Sequence, residues 1–162
     1  MSDITIREAT IEDTVLIGNF IRALAAYEKL EHEAVATDDD IRDKLFGEKP
    51  QAEVIIAEDA GTAVGFALYF HNFSTFLGKQ GLYLEDLYVN EVARGKGAGK
   101  KMLAHLADVA VSRGCGRMEW WVLDWNTPSI DFYRSLGADA MEDWTVFRLR
   151  GDALIKLAAE ND

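Results

Sequence analysis

The apolar residues of this chain recur with two different periods, and each period predicts a type of element. The segment ITIRE at 4–8 alternates at every second residue, as a strand does. Over 16–27 the apolar residues recur every three to four positions, which predicts an amphipathic helix. VATDDDIRDKLFG then predicts a second, shorter helix that is capped by Thr37 and ends near Gly47.

The rest of the chain is strand-rich in its middle and alternates between helix and strand after it. Strands are predicted at 52–59, 63–70, 81–91, 117–124 and 145–150. Helices are predicted at 97–113, between the third and fourth of these strands, at 126–137, between the fourth and fifth, and at 152–160, after the last. The order β-α-α-β-β-β-α-β-α-β, followed by one more helix, favours a mixed, mostly antiparallel sheet flanked by helices, of the α/β (α+β) class. A length of 162 residues fits a single domain over 1–162.

Charge narrows the classes of partner. The 28 acidic and 17 basic residues give a net charge of −11. An acidic field repels nucleic acid and attracts cations, so we expect no nucleic-acid partner. The charge is explained either by solubility or by a cationic substrate, and the second requires carboxylates placed at a site.

The cysteine and histidine content and the hydropathy of the chain argue against disulfides, metal sites and membrane spans. Cys115 is alone and the three histidines are widely spaced, so neither a disulfide nor a Cys/His zinc site is expected, and no metal. No apolar run is long enough to span a bilayer, and the N-terminus lacks the pattern of a signal peptide. We therefore expect a cytoplasmic protein without a membrane partner.

A glycine-rich turn, RGKGAG at 94–99, lies between a predicted strand and a predicted helix. Free N–H groups and a partial positive charge at a helix N-terminus bind phosphate, and glycines let the backbone approach an anion. The spacing matches neither the dinucleotide fingerprint nor the P-loop. Alone, the turn could equally be a tight connection with solvated lysines.

The glycine turn and several other segments of the chain resemble those of a known protein family. Arg94 to Gly99 matches the R-x-x-G-x-G/A motif, and this chain resembles the GNAT superfamily of acetyl-CoA-dependent N-acetyltransferases. YLEDLYV, RALAAYEKLE, VLDWNTPSIDFYRSLGA and the C-terminal W.VFRL resemble its diamine acetyltransferase branch, which includes the spermidine/spermine and thialysine enzymes. The resemblance implies an acetyl-CoA co-substrate and transfer to a primary amine of a small cationic acceptor. It also implies a homodimer.

The resemblance also implies the residues that hold the cofactor. Backbone groups of the strand, the turn and the following helix are expected to bind acetyl-CoA, together with polar side chains after the next strand. These residues are Leu87, Tyr88, Val89, Arg94, Gly95, Lys96, Gly97, Ala98, Gly99, Lys100, Asn126, Ser129 and Tyr133. From the residues alone, Asn126 could simply cap a helix.

Direct attack of an amine on the thioester needs a base, an oxyanion donor and an acid for the thiolate. Glu85 is the candidate for the ammonium proton, directly or through water, because two adjacent carboxylates inside an apolar strand are unusual. In a regular strand Glu85 and Asp86 would point to opposite faces. Tyr133 is the candidate acid by resemblance, because a phenol has a pKa near that of a thiol. The alternatives are a solvated carboxylate and a core tyrosine.

The acceptor end is expected at Tyr27, Glu28, Glu85, Glu119 and Trp120. The first two match positions that line the polyamine cleft of the resembling family. Glu119-Trp120-Trp121 stands where the polyamine enzymes place a His-Phe pair, and the two Trp faces could bind a cation or an aliphatic chain or simply fill core. VLDWN and EKLE look closer to the thialysine-type relative, so a thialysine-like amino acid is expected beside a small di- or polyamine. Two other hypotheses share the cofactor site: a non-catalytic acyl-CoA-binding regulator and a protein lysine or N-terminal acetyltransferase.

Overall fold

The computed structural model describes residues 3–161. Its contacts group the chain into two compact units, Met1–Leu123 and Asp124–Asp162. No helix within 3–161 is both long enough and apolar enough to cross a membrane.

The first unit contains a five-stranded sheet and three helices. In chain order these are β1 (Ile4–Glu8), α1 (Thr14–Tyr27), α2 (Asp38–Phe46), β2 (Glu53–Asp59), β3 (Thr62–Ser74), β4 (Lys79–Val89), α3 (Ala98–Ser112) and β5 (Met118–Trp120). The strand order is β1-β2-β3-β4-β5. The pairs β1–β2, β2–β3 and β3–β4 are antiparallel, and the pair β4–β5 is parallel. The predicted mixed, mostly antiparallel fold is confirmed.

Local chemistry fixes the helix ends that matter for the site. Thr37 caps α2: its hydroxyl accepts from the N–H of Asp40 at 3.1 Å, and the Asp40 carboxylate accepts from the Thr37 N–H at 2.8 Å. At the end of α1, Lys29 adopts a left-handed conformation with φ 61, and the Leu30 N–H donates to the Ala25 carbonyl at 2.8 Å. The chain therefore turns sharply just after Glu28 and leaves that carboxylate at the helix terminus.

The core of the first unit lies on both faces of the sheet. On one face Phe66 of β3 is fully buried and stacks on Phe20 of α1, with ring centroids 5.5 Å apart. Ile17 and Ile56 belong to the same buried cluster. Because strand side chains alternate, Gly65 faces the other side, where a Cβ on it would lie 3.3 Å from Met102 of α3. The sheet thus separates α1 and α2 from α3.

The second unit contains two helices, α4 (Thr127–Ser135) and α5 (Gly151–Ala158). Gly137, with φ 88, follows α4 and donates to the Arg134 carbonyl at 3.0 Å, so the predicted helix end is confirmed. The predicted strand at 145–150 is wrong, because no strand is formed there and no ladder among the described residues includes it. Apolar alternation predicts a strand only where a pairing partner exists. The predicted strand at 117–124 shortens to β5 for the same reason.

Candidate functional site

The turn between β4 and α3 has the backbone shape that its glycines permit. Gly95 and Gly97 have φ angles of 79 and 87, which other residues rarely adopt. Gly97 is the N-cap of α3, so the free N–H groups of the first helical turn follow it directly. A Cβ at Gly95, Gly97 or Gly99 would meet nothing within 4 Å. The turn is therefore open above its backbone and fits an anion.

Cationic side chains surround this turn, but several are engaged with the protein. Lys96 pairs with Asp59 at the end of β2, with Nζ 2.9 Å from Oδ2. Lys101 donates to the Ile4 carbonyl, while Lys100 is exposed. Together with Gly97 and Ala104, the three lysines line a shallow depression of about 330 Å³. The three lysines thus lie beside the N-terminus of α3.

Arg94 connects the glycine turn to the end of α1. Its Nε donates to the Val89 carbonyl at 3.1 Å, and its guanidinium lies 4.7 Å from the ring centroid of Tyr27 and 5.8 Å from that of Tyr88. Both distances lie within the range of cation–π attraction. Two residues predicted for different ends of the site, Arg94 and Tyr27, are therefore in contact.

Among the described residues of the first unit, no strand pairs with the second half of β4 on the side of β5. β3 pairs with β4 as far as Val89, whereas β5 pairs with it only at Leu82, Tyr83 and Leu84. Backbone groups alternate between the two edges of a strand, so some N–H and C=O groups of 85–89 face the side from which β5 has diverged. This is the edge at which Leu87, Tyr88 and Val89 were predicted to bind the cofactor.

A β-bulge at Glu85 changes which side chains share a face. Leu68 pairs with Asp86 and Tyr69 pairs with Leu84, so Glu85 is the extra residue on β4. The strand is not regular at this point, and the expected strict alternation of Glu85 and Asp86 does not apply. The bulge brings Tyr83 and Asp86 to the same face of the sheet, which is the face that carries α1.

Three carboxylates converge on this face. Burial and the nearby charges of Glu85 and Glu28 raise the pKa of Asp86 from 3.8 to about 7. Burial also raises the pKa of Glu28, at the end of α1. Glu85 itself is exposed beside them. The arrangement destabilises negative charge in the free protein and is suited to bind a cation that brings a positive charge into it.

An aromatic wall continues the same face towards β5. The Tyr83 ring lies 5.1 Å from that of Phe70 and 6.0 Å, edge to face, from that of Trp121. Burial and the charges of Glu85, Glu119 and Asp86 raise the pKa of Tyr83 to about 12, so its phenol stays protonated. Tyr83 and Glu119 are paired in register. Tyr83 therefore lies between two acidic ends of one surface.

The structure assigns the neighbouring tryptophans to different surroundings. Trp120 is half-buried and pairs with Leu84, whereas Trp121 is exposed and contacts Tyr83. Strand alternation then puts Trp121, not Trp120, on the side of Glu119. The role predicted for Trp120 stays a prediction, and Trp121 is the tryptophan whose ring contacts Tyr83.

The remaining predicted residues belong to α4 in the second unit. Asn126 occupies the N-cap position, but its side chain makes no capping hydrogen bond, so the simple capping role does not apply. Ser129 and Tyr133 are four residues apart and share one face of the helix. The rings of Phe132 and Tyr133 are 5.7 Å apart. The roles of these residues towards a cofactor stay predictions.

Reasoning from the sequence missed Asp86 as a strongly perturbed acid, and it missed Tyr83. It named Trp121 beside Trp120 but placed only Trp120 among the acceptor residues. Two adjacent carboxylates in YLEDLYV were the one available signal for Asp86. Nothing in the sequence marked the bulge, because it depends on the pairing of β4 with β3. Within residues 3–161, no group of three or more histidine, cysteine, aspartate or glutamate side chains could hold a metal ion.

Comparison with known proteins gives one consistent family. Residues 21–138 match the model of the acetyltransferase (GNAT) family. A thialysine N-epsilon-acetyltransferase from Bos taurus is 37% identical over 171 residues, covering 99% of this chain and 100% of the relative. An L-ornithine N5-acetyltransferase, NATA1 from Arabidopsis thaliana, is 33% identical, and the match covers 92% of this chain and 85% of the relative. The integron cassette protein VCH_CASS6 from V. cholerae superimposes with a TM-score of 0.79 at 30% identity, over 96% and 97% of the two chains.

Proposed function

Because this chain belongs to the acetyltransferase (GNAT) family and is an N-acetyltransferase, we propose that it transfers the acetyl group of acetyl-CoA to a primary amine of a small acceptor that carries a second cationic group. The observation that carries this proposal is the group of Glu28, Glu85 and Asp86 on one face of the sheet. Glu85 and Asp86 begin the part of β4 that β5 does not pair, and Glu28 directly follows Tyr27, whose ring contacts Arg94. Relatives named for thialysine and ornithine support an amino acid with a side-chain amine.

The chain offers fitting groups for the co-substrate. The open turn at 94–99 and the N-terminus of α3 suit its pyrophosphate, with Arg94 and Lys100 as cations. The open edge of β4 at Leu87, Tyr88 and Val89 suits its amide-bearing arm, together with Asn126 and Ser129. Acetyl-CoA supplies a thioester that a neutral amine attacks directly.

The carboxylates at the bulge handle the acceptor ammonium in this proposal. Glu85, exposed at the entrance, binds the ammonium and takes up its proton directly or through water. Asp86, with a pKa of about 7, exchanges a proton readily at neutral pH and joins Glu85 in this role. Tyr133 gives its phenolic proton to the departing thiolate. Each proton that leaves the amine therefore has a named acceptor, and the thiolate has a named donor.

Four further expectations belong to the same proposal. The family match at 21–138 crosses the boundary between the two units, which supports a single domain over 1–162. A homodimer and a cytoplasmic location are proposed with it. The acidic surface supports the absence of a nucleic-acid partner, since the net charge is −11.

The test is the release of CoA from acetyl-CoA with a panel of amines: ornithine, thialysine, lysine, spermidine, putrescine and a lysine peptide. Release with small dicationic amines, and not with the peptide, is the expected result. Acetyl-CoA binding without release from any amine would favour a regulator that only binds the cofactor. Release with the peptide alone would favour a protein acetyltransferase.

A further inference from the structure

One charged pair lies beyond the carboxylates that the proposed reaction uses. Arg117 and Glu119 flank the start of β5, with Nε 2.7 Å from Oε1. Their side chains are 41% and 37% exposed, so a ligand can reach both. Because they are two residues apart on an extended segment, they point to the same face. That is the face on which Tyr83 and Trp121 lie.

Gly81 leaves space beside this pair for neighbouring side chains. Gly81 of β4 pairs with Asn72 of β3, and a Cβ on Gly81 would lie 2.3 Å from the Asn72 Oδ1 and 3.4 Å from the Arg117 Cγ. The Asn72 amide points its Nδ2 towards Glu119 at 3.5 Å. Only a glycine at 81 leaves room for the Asn72 and Arg117 side chains over the strand. The stem of Arg117 and the Asn72 amide thus form a corner over Gly81, and the charged ends of the pair are exposed there.

The Glu119 end of this corner lies about the length of an extended lysine from Asp86 along β4, and Arg117, level with Gly81, reaches back to it with its guanidinium. Glu119 is opposite Tyr83, and from Tyr83 to Asp86 the strand advances by roughly 7–10 Å at about 3.3 Å per residue. The Tyr83 and Trp121 rings contact each other edge to face on this side of the sheet. Aromatic walls suit the methylene groups of an aliphatic chain.

The charges at the far end distinguish between two kinds of acceptor. A diamine or polyamine presents only cations, and an arginine at its distal end would repel it. An α-amino acid presents an ammonium and a carboxylate side by side. The arginine fork matches a carboxylate in two-point geometry, and a glutamate matches an ammonium. In the free protein the two side chains neutralise each other, so neither charge is left unpaired.

We propose that Arg117 and Glu119 form a head-group site that binds the α-carboxylate and α-ammonium of an amino acid whose side-chain amine is acetylated. The inference rests on the proposed N-acetyltransferase function and adds a specificity-determining residue, Arg117, to it. On binding, the ion pair between the two side chains is exchanged for two ion pairs with the zwitterionic head of the acceptor. Asn72 holds the Glu119 carboxylate in place during this exchange.

The test compares acceptors that differ only by the carboxylate: L-ornithine with putrescine, and L-lysine with cadaverine. Arg117→Gln should lower kcat/KM for the amino acids by about 10- to 100-fold, the loss expected for a charge-assisted contact. The loss should lie in KM, because the head group is remote from the reacting amine. For the two diamines kcat/KM should stay within about twofold of wild type or rise, because the variant no longer repels their distal ammonium.

Three further variants make the result specific. Arg117→Lys keeps the charge without the fork and should recover part of the loss. Arg42→Gln removes an exposed arginine of α2 that pairs with Asp39, and it should change neither class of acceptor. Glu119→Gln should weaken amino acids and diamines alike, because both carry a distal ammonium.

Two outcomes would overturn the inference. Equal losses for ornithine and putrescine in Arg117→Gln, or no loss for either, would mean that Arg117 does not read a carboxylate. In both cases the N-acetyltransferase proposal stands, because the wild-type protein still releases CoA. If the wild-type protein released no CoA with any amine, the proposed function would fail and this inference with it.

Discussion

Replacing Asp86 by asparagine should stabilise the protein and weaken its activity. Asparagine has nearly the shape of a protonated aspartic acid and carries no charge, so it mimics the form that the folded protein prefers. Asp86 is held beside Glu85 and Glu28, and these charges together with burial raise its pKa from 3.8 to about 7. A change of this size corresponds to about 4 kcal/mol of unfolding free energy once the carboxyl is fully ionised.

The sign of the effect depends on pH. Well below pH 3.8 the carboxyl is protonated in the folded and unfolded states, and it contributes nothing to stability. Between 3.8 and 7 the folded protein retains a proton that the unfolded chain releases, so stability falls as the pH rises. Above 7 the loss is complete and constant. The advantage of Asp86→Asn should therefore grow from less than about 1 kcal/mol near pH 4 to about 4 kcal/mol above pH 7.

Urea unfolding of both proteins at pH 4, 5, 6, 7 and 8 measures this directly, with circular dichroism as the signal. Asp108→Asn is the matched control, because Asp108 is an exposed carboxylate on α3 outside the site. Its difference from wild type should stay small and independent of pH. A stability difference for Asp86→Asn that does not change across this range would refute the raised pKa. Activity with the best amine should fall at the same time, because the cation loses one of its three carboxylates.

Three other changes test separate parts of the molecule. Arg94→Ala should raise the KM for acetyl-CoA by about tenfold through loss of a charge-assisted phosphate contact; an unchanged KM would mean that the turn binds through its backbone alone. Tyr133→Phe should lower kcat by about 10²- to 10⁴-fold while acetyl-CoA binding, measured by calorimetry, stays within about twofold; unaltered turnover would remove Tyr133 as the acid. Phe66→Ala should lower the unfolding free energy by about 3–5 kcal/mol, because Phe66 is 0% exposed and stacked on Phe20. Phe76→Ala, at a position that is 99% exposed, is its control and should change stability little.

The elements of the first unit could be predicted because local patterns decide them. Thr37 and Gly47 were correctly placed at the ends of α2, since capping needs only neighbouring residues. The glycine turn before α3 was predicted for the same reason, and Gly95 and Gly97 adopt the positive φ angles that such a turn requires.

Features that depend on pairing between distant segments could not be predicted. The bulge at Glu85 exists because Leu68 and Tyr69 of β3 pair with Asp86 and Leu84, a register that no local pattern encodes. The segment at 145–150 has the alternation of a strand, yet it has no ladder within the described part of the chain. Asp86 required both a register and the position of Glu28 on α1. Its altered pKa is therefore a property of the fold and not of the sequence around it.

The bulge and the clustered carboxylates support each other as one functional arrangement. A regular β4 would point Asp86 away from Tyr83 and would divide the acidic groups between the two faces of the sheet. The bulge places Asp86 on the α1 face, where burial and the charges of Glu85 and Glu28 disfavour its ionised form in the absence of a cation. A bound ammonium would reverse this effect, because it favours the ionised form of Asp86. Relief of the unfavourable charge would then add to the binding free energy of the acceptor. Binding of a dicationic amine near neutral pH should therefore release protons from Asp86. In the proposed reaction, Asp86 would therefore link the binding of the acceptor to the proton that the reaction must remove.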